Sequence, residues 1–332
     1  MIDLLIIGAG PIGLEAAIRA KRAGLSYLVV DKGCVVNAIY DYPTYMTFFT
    51  TSDRLEIGGH PMVTATDKPT RKEALDYYRK VTAAEKLDVR QYTEATGLTR
   101  TPGGFDVRLN PERGEPQTMS ARRVAIATGY FDNPKYLGIP GEERDNVSHY
   151  YTEAHPFWNR NVTIIGAGSS AADAALDLYR GGANVTMIHR GADFRHSLKY
   201  WIRPNLENRV KEGSITAHFN TVVTEITEDA VFAEKEGDTI RIPTDMTFAL
   251  TGYYASPELL EQSGVEVRPE DYAAKLDPDT FESNVPGLYI IGSAGFGTRT
   301  SDVFIENGLV HAQKALDDIA RKLNKDAQPV PA

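Results

Sequence analysis

The sequence predicts an α/β fold with two Rossmann-like domains of three layers (ββα), and three observations lead to it. A strand, a glycine-rich turn and a helix open the chain, and the same order recurs 158 residues later. In both copies, 23 residues separate the first glycine from the end of the second strand, 8 to 31 and 166 to 189. Parallel strands joined by right-handed crossovers produce this spacing. The length of 332 residues also fits two domains of about 150 residues each.

Composition and charge exclude several classes of protein. Hydrophobic residues make up 42% and charged residues 24%, a globular balance. The net charge of −9 gives no overall attraction to nucleic acid or to an anionic membrane. One cysteine, Cys34, excludes an intrachain disulfide, and the scattered histidines show no metal-ligand spacing. No apolar run approaches a membrane span and the N-terminus lacks a signal-peptide pattern, so we expect a cytoplasmic location.

Strand and helix patterns recur in the same order in the two halves. Each half has a buried strand, a turn, an amphipathic helix and a second strand, followed by a strand-rich stretch. The predicted strands are 4–7, 27–30, 162–165, 185–188 and 287–291, and the predicted helices are 14–23, 71–85, 170–180 and about 302–323.

The first turn matches G-x-G-x-x-G between a strand and a helix. Of its glycines, Gly8 permits the tight turn, Gly10 lets a pyrophosphate approach the backbone and Gly13 lets helix and strand pack closely. The helix N-terminus offers unpaired N–H groups to the phosphates. Asp31 ends the second strand, where it can accept hydrogen bonds from a ribose. The sequence therefore predicts a dinucleotide site here.

The second turn follows the variant G-x-G-x-x-A and changes the residue that selects the nucleotide. The position equivalent to Asp31 is His189, followed by Arg190 and, five residues later, Arg195. A carboxylate there would repel a 2′-phosphate, whereas these side chains supply charge-assisted donors. The second nucleotide is therefore predicted to be NADPH, held by a set of residues around this turn: Gly166, Gly168, Ser169, Ser170, His189, Arg190 and Arg195.

Taken together, these features resemble the low-molecular-weight thioredoxin reductase-like flavoproteins, and within them the bacillithiol disulfide reductase family. The resemblance covers nearly the whole chain. It is carried by motifs spread from one end to the other: 35–44 (VVNAIYDYPT), 47–49 (TFF), 55–58 (LEIG), 127–132 (ATGYFD), 173–176 (DAAL), 251–253 (TGY) and 304–308 (FIENG).

The resemblance implies a discontinuous FAD-binding domain with an inserted NADPH-binding domain. The implied ranges are 1–130 and 252–325 for FAD, 131–251 for NADPH and 326–332 for a flexible tail, with hinges near 130–133 and 250–252. A homodimer or larger oligomer is also implied. Together, the motifs and the resemblance predict these FAD-binding residues: Gly8, Gly10, Pro11, Ile12, Gly13, Asp31, Lys32, Asn37, Tyr42, Pro43, Thr47, Phe48, Ala127, Thr128, Gly129, Gly292, Ser293 and Ile305.

Two departures from the family pattern bear on the electron acceptor. Thioredoxin reductases carry Cys-x-x-Cys before the second glycine-rich strand, whereas residues 149–161 here contain no cysteine. Bacillithiol disulfide reductases typically have a cysteine inside the first turn, at the position that is Ile12 here. Cys34 could substitute only if a cation stabilised its thiolate, and a small buried residue is the favoured interpretation.

The sequence thus predicts an FAD-dependent NADPH oxidoreductase with no catalytic side chain assigned. Hydride would pass from NADPH to FAD and then to a low-molecular-weight disulfide such as bacillithiol disulfide. Two alternatives remain open. One is a ferredoxin or flavodoxin reductase that passes electrons to a small carrier protein. The other is a flavin-based redox sensor that signals through a partner.

Overall fold

The computed structural model describes residues 1–196 and 198–326, with the side chains of residues 325 and 326 left undescribed. The strands, in chain order, are β1 (Ile2–Ile7), β2 (Tyr27–Val30), β3 (Val89–Arg90), β4 (Thr93–Thr101), β5 (Gly104–Pro111), β6 (Gln117–Ile126), β7 (Val147–Ser148), β8 (Asn161–Ile165), β9 (Asn184–Ile188), β10 (Ile215–His218), β11 (Thr221–Ile226), β12 (Ala230–Lys235), β13 (Asp238–Pro243), β14 (Met246–Ala249) and β15 (Leu288–Ile290). The helices are α1 (Pro11–Arg22), α2 (Asn37–Tyr40), α3 (Arg71–Ala84), α4 (Ser169–Arg180), α5 (Arg203–Lys211), α6 (Glu258–Gln262) and α7 (Ile305–Asp326).

The chain divides into two compact units. The first unit contains Met1–Tyr40, Thr50–Asn133 and the residues from Tyr253 onward, and the second contains Asp41–Phe49 and Pro134–Gly252. The chain therefore crosses between units at 40/41, 49/50, 133/134 and 252/253, and the last two crossings lie beside the segments predicted as hinges. Which cofactor each unit binds stays a prediction.

In the first unit, a parallel sheet continues into an antiparallel meander. The strand order is β3-β2-β1-β6-β5-β4, and β15 also pairs with β6. Strand β6 is long enough to serve both parts, because 117–121 pairs with β5 and 124–126 pairs with β15. Residues on one face of β1 and β2, such as Leu5 and Val30, form a core with Val107 of the meander. Helices α1 and α7 pack against each other and supply the third layer.

The second unit repeats this plan. Its sheet has the order β10-β9-β8-β14-β7 and is parallel throughout, and a separate antiparallel sheet contains β11-β12-β13. Alternating side chains of β8 serve two cores, as the period of a strand requires. Ile164 packs with α4 residues such as Ala175, whereas Ile165 packs with Val231 of the three-stranded sheet. The predicted fold class, with two Rossmann-like domains, is confirmed.

Most predicted elements occur within three residues of their expected ends. Helix α1 starts earlier than predicted because Pro11, which has no N–H to lose, occupies its first position. Helix α3 is fixed at its start by a capping box between Thr70 and Glu73. The predicted tail, 326–332, lies outside the described residues from position 327 onward. No helix in the described part of the chain is both long and apolar enough to cross a membrane.

A buried threonine pair in the second unit gives a stability prediction. Thr163 and Thr247 face each other across β8 and β14, both are 0% exposed, and neither hydroxyl has a hydrogen-bond partner among the described residues. Thr163→Val replaces an unsatisfied buried hydroxyl by a methyl group, so we expect it to raise the free energy of unfolding by about 1 kcal/mol. Thr221→Val is the control, because the Thr221 hydroxyl donates to the Phe219 carbonyl at 2.9 Å and its loss should destabilise. Urea unfolding of both variants tests whether the free energy of unfolding rises in Thr163→Val and falls in Thr221→Val.

Candidate dinucleotide sites

The first glycine-rich turn is closed by backbone packing at two of its glycines. A Cβ placed on Gly13 would lie 1.9 Å from the Gly8 carbonyl oxygen, and one on Gly8 would lie 2.4 Å from the Ala127 carbonyl oxygen. Gly8 also has a φ of 111°, a conformation that favours glycine. No larger residue fits either position, so the strand–turn–helix geometry requires both glycines.

The middle glycine of this turn has a different environment. A Cβ on Gly10 would meet nothing within 4 Å, so no contact within the chain requires a glycine there. Gly10 is also the N-cap of α1, and no side chain caps the helix. Open space above uncapped N–H groups at the positive end of a helix suits a pyrophosphate. The turn therefore fits the phosphates of a dinucleotide.

Asp31 holds the loop after β2 against this turn. Its carboxylate accepts hydrogen bonds from the N–H groups of Ala9, at 2.6 Å, and Gly33, at 2.8 Å. Burial raises the pKa of Asp31, and the two N–H groups oppose that shift by favouring the carboxylate. Each oxygen keeps a lone pair beyond these bonds, which can accept from a ribose hydroxyl. Lys32, next in the chain, pairs with Asp132 at 3.0 Å.

Further predicted residues gather at the same edge of the first unit, where parallel strands end. Ala127 follows β6 and its N–H donates to the Ile7 carbonyl, while Gly292 lies two residues beyond the end of β15. In this fold, ligands bind beyond the carboxyl ends of the strands. The remaining predicted residues occupy nearby segments: Thr128 and Gly129 after β6, Ser293 in a 3-10 turn, Asn37 at the start of α2 and Ile305 at the start of α7.

Ile12 fills space between the strand end and α7. A Cβ on Gly308 would lie 3.0 Å from the Ile12 side chain, and one on Gly292 would lie 3.4 Å from it. The branched side chain therefore packs against two glycines at the position where the resemblance led us to expect a cysteine.

A buried histidine supports Gly292 from α7. His311 is 9% exposed, its ring stacks on Phe281 with centroids 3.9 Å apart, and its Nδ1 has no partner among the described residues. Burial lowers the pKa of His311 to about 4, although a hydrogen bond with the Gly292 backbone opposes the shift. His311 is therefore neutral near pH 7.

This histidine should make the first unit sensitive to acid. Between its ordinary pKa of 6.5 and about 4, the unfolded chain binds a proton at His311 that the folded chain excludes. The free energy of unfolding should therefore fall as the pH drops from 6.5 to 4, by about 3 kcal/mol from this group. We expect His311→Gln to lose much of that dependence, measured as urea midpoints at pH 5 and pH 8. An unchanged difference between the two midpoints would contradict the assignment.

The second glycine-rich turn repeats the geometry of the first. A Cβ on Gly166 would lie 2.4 Å from the Leu250 carbonyl oxygen, and the φ of Gly166 is 140°. Around Gly168, the N-cap of α4, the nearest atom to such a Cβ is in Arg195 at 3.8 Å, and again no side chain caps the helix. Ser169 and Ser170 open α4. This turn therefore also fits a dinucleotide phosphate.

Cationic side chains collect beside the second turn. The Arg195 N–H donates to the Ala167 carbonyl at 3.1 Å, which places that residue over the turn. Burial, and then the charges of Arg195 and Arg190, lower the pKa of His189. The same three influences, in the same order, lower the pKa of Lys135. Sequence reasoning missed Lys135, since no motif or spacing connects it to residues more than fifty positions later.

One segment predicted to belong to the FAD-binding domain lies in the second unit instead. Four residues expected along the flavin, Tyr42, Pro43, Thr47 and Phe48, belong to Asp41–Phe49, which clusters with the second unit. The Thr44 N–H donates to the Thr152 carbonyl at 2.8 Å, and the Phe49 ring lies 5.0 Å from that of Trp201. The predicted range 1–130 thus differs from the first unit in this segment, and the role of these four residues stays a prediction. Among the described residues, no group of three or more His, Cys, Asp or Glu could hold a metal ion.

Comparison with known proteins decides the family. The family model for pyridine nucleotide-disulphide oxidoreductases matches residues 5–292. The chain belongs to this family. Bacilliredoxin reductase Bdr of Bacillus subtilis is 40% identical over 96% of this chain and 98% of its own. A solved bacillithiol disulfide reductase Bdr from Bacillus cereus is 38% identical, with a TM-score of 0.95, and covers 97% of this chain and 99% of its own. A ferredoxin–NADP reductase of Ignicoccus hospitalis is 27% identical over 88% of this chain and 90% of its own.

The resemblance to the bacillithiol disulfide reductases is thereby confirmed, as is the enzyme class. The chain is an NADPH-dependent flavoprotein oxidoreductase, and its cofactors are FAD and NADPH.

Proposed function

We propose that this enzyme reduces bacillithiol disulfide or a similar low-molecular-weight disulfide. The observation that carries the proposal is the similarity, over nearly the whole chain, to two solved structures named bacillithiol disulfide reductase. In the overall reaction, NADPH and one proton supply two electrons and two hydrogens, the S–S bond breaks, and two thiols and NADP⁺ are released. Bound FAD relays these electrons between the nucleotide and the disulfide.

We propose that the first unit binds FAD and the second binds NADPH. The uncapped start of α1 and the open face of Gly10 would hold the FAD pyrophosphate, and Asp31 would hold its ribose. The uncapped start of α4 and Gly168 would hold the pyrophosphate of NADPH, and Arg190 and Arg195 would hold its 2′-phosphate. These residues act by binding and orienting the two nucleotides, which brings the reacting atoms into productive geometry.

We further propose that no protein thiol takes part. The chain has no cysteine besides Cys34, whose thiol lies 3.4 Å from the Asn37 Oδ1 and can donate a hydrogen bond to it. A bond that uses the S–H proton favours the neutral thiol over the reactive thiolate. Ile12 supplies no sulfur.

Simultaneous measurement of NADPH consumption and thiol release tests this proposal. With bacillithiol disulfide we expect two thiols for each NADPH consumed, and Cys34→Ala should retain activity within about twofold because it removes no reacting group. Consumption of NADPH without thiol release would contradict disulfide reduction. A large loss in Cys34→Ala, with FAD content unchanged, would contradict only the thiol-free route.

A second candidate function is reduction of ferredoxin or flavodoxin. The similarity to a ferredoxin–NADP reductase over most of the chain favours it, at lower identity. Replacing the disulfide by oxidised ferredoxin or flavodoxin in the same assay separates the two functions. Faster turnover with a carrier protein would make this candidate the preferred one.

We also propose a cytoplasmic homodimer or homotetramer. Low-molecular-weight thiols are kept reduced inside the cell, where structural disulfides are rare, and a chain with one cysteine suits that compartment. Light scattering on the purified holoenzyme measures the oligomeric state.

A further inference from the structure

We propose that Lys135 is a third cationic contact for the 2′-phosphate of NADPH, and that it contributes to the choice of NADPH over NADH. The proposal rests on the placement of NADPH at the second turn and on no assumption about the electron acceptor. It adds a side chain from the start of the second-unit segment Pro134–Gly252 to a site otherwise built from residues 166–195.

The backbone of Lys135 is fixed next to the second turn. Its N–H donates to the Gly252 carbonyl at 2.8 Å, and its carbonyl accepts from the Thr251 hydroxyl at 2.5 Å. The residue before these, Leu250, provides the carbonyl oxygen that lies 2.4 Å from a Cβ placed on Gly166. Lys135 is therefore held by the segment that closes the glycine-rich turn.

Within the described part of the chain, the positive charges around Lys135 have no counterion. The Lys135 side chain is half-buried, and burial, followed by the positive charges of Arg195 and Arg190, lowers its pKa. Across residues 1–196 and 198–324, no carboxylate lies within ion-pair distance of Lys135, Arg190 or Arg195.

Neighbouring cations of the same unit behave differently. Lys199 pairs with Asp173 at 2.8 Å, and Arg203 pairs with Glu207 at 2.9 Å. Lys135, Arg190 and Arg195 repel one another, whereas the nearby cations are paired with carboxylates. A cluster of unpaired positive charges is suited to bind an anionic ligand.

The position of the cluster identifies the anion. His189 occupies the place that Asp31 holds in the first unit, at the end of the second strand of its turn motif. In this fold that place faces the 2′ position of the bound ribose. After burial, the charges of Arg195 and Arg190 lower the pKa of both His189 and Lys135. These four side chains therefore belong to one cluster. A 2′-phosphate carries enough negative charge to relieve their repulsion, whereas the hydroxyl of NADH does not.

Calorimetric binding of two probes to the FAD-loaded enzyme tests this proposal. The probes are adenosine 2′,5′-bisphosphate, which carries the 2′-phosphate, and AMP, which lacks it. We expect Lys135→Met to weaken the bisphosphate by about tenfold or more and to leave AMP unchanged, because one charge-assisted contact is lost. Lys135→Arg should stay within about threefold of the wild type. Lys211→Met, which removes an exposed cation at the end of α5, is the matched control and should change neither probe.

The outcomes separate this inference from the site on which it rests. If Arg195→Met weakens the bisphosphate but Lys135→Met does not, the Lys135 assignment is wrong and the NADPH site stands. If neither variant weakens it, the 2′-phosphate site at the second turn is itself wrong. An equal loss of both probes in Lys135→Met would show a structural role and overturn the proposal. Should Lys135→Met fail to fold, Lys135→Gln tests the same loss of charge.

Discussion

Gly13→Ala is expected to yield protein that retains little or no FAD. The added methyl would lie 1.9 Å from the Gly8 carbonyl oxygen, and the backbone of Gly8 is held in place because its N–H donates to the Val30 carbonyl at 2.8 Å. Relief of this clash must move α1 away from β1, which separates the helix N-terminus from the pyrophosphate. A displacement costing 3 kcal/mol or more would lower FAD affinity by about two orders of magnitude. The ratio of flavin to protein after purification measures the effect.

Gly97→Ala is the matched control in the same unit. A Cβ on Gly97 would meet nothing within 4 Å, and its backbone is not in the left-handed region. We expect this variant to bind FAD as the wild type does. A full complement of flavin in Gly13→Ala would contradict the packing argument and the placement of FAD at this turn.

Gly166→Ala is expected to impair NADPH binding without affecting FAD binding, because it alters only the second turn. Its methyl would lie 2.4 Å from the Leu250 carbonyl oxygen, at a φ of 140° that alanine rarely adopts. We expect NADPH to reduce the bound flavin at least tenfold more slowly, while dithionite still reduces it fully. Anaerobic reduction followed by flavin absorbance gives both rates.

Gly168→Ala tests whether a variant at the second turn loses NADPH binding because the unit misfolds or because the added methyl group keeps the nucleotide away from the backbone. No atom lies nearer than 3.8 Å to its added methyl, so the unit should fold normally and yet bind NADPH poorly. Wild-type reduction of the flavin by NADPH in both Gly166→Ala and Gly168→Ala would contradict placement of the nucleotide at this turn.

The two turns could be predicted from the sequence because their geometry is local. A strand, the glycines and a helix N-terminus lie within a dozen residues, and close backbone contacts permit no alternative at Gly8, Gly13 or Gly166. The duplicated spacing also made the sheet topology predictable, since parallel strands need a crossover between them.

Other parts of the site depend on contacts between distant residues, which no local pattern reveals. The segment Asp41–Phe49 follows first-unit residues in the chain, yet a hydrogen bond to Thr152 and a ring contact with Trp201 bind it to the second unit. The backbone of Lys135 is held beside the second turn by Gly252, whose carbonyl accepts its N–H, and by Thr251, whose hydroxyl donates to its carbonyl. Neither set of contacts can be predicted from the spacing of residue types in the sequence.

Anaerobic stopped-flow mixing tests the central claim most directly. The enzyme is first reduced with one equivalent of NADPH and then mixed with bacillithiol disulfide, while flavin absorbance is recorded. The proposed function predicts reoxidation at least as fast as steady-state turnover, in both the wild type and Cys34→Ala. If the enzyme stays reduced with the disulfide but is reoxidised promptly by ferredoxin or flavodoxin, the enzyme is a carrier-protein reductase and the disulfide assignment is wrong.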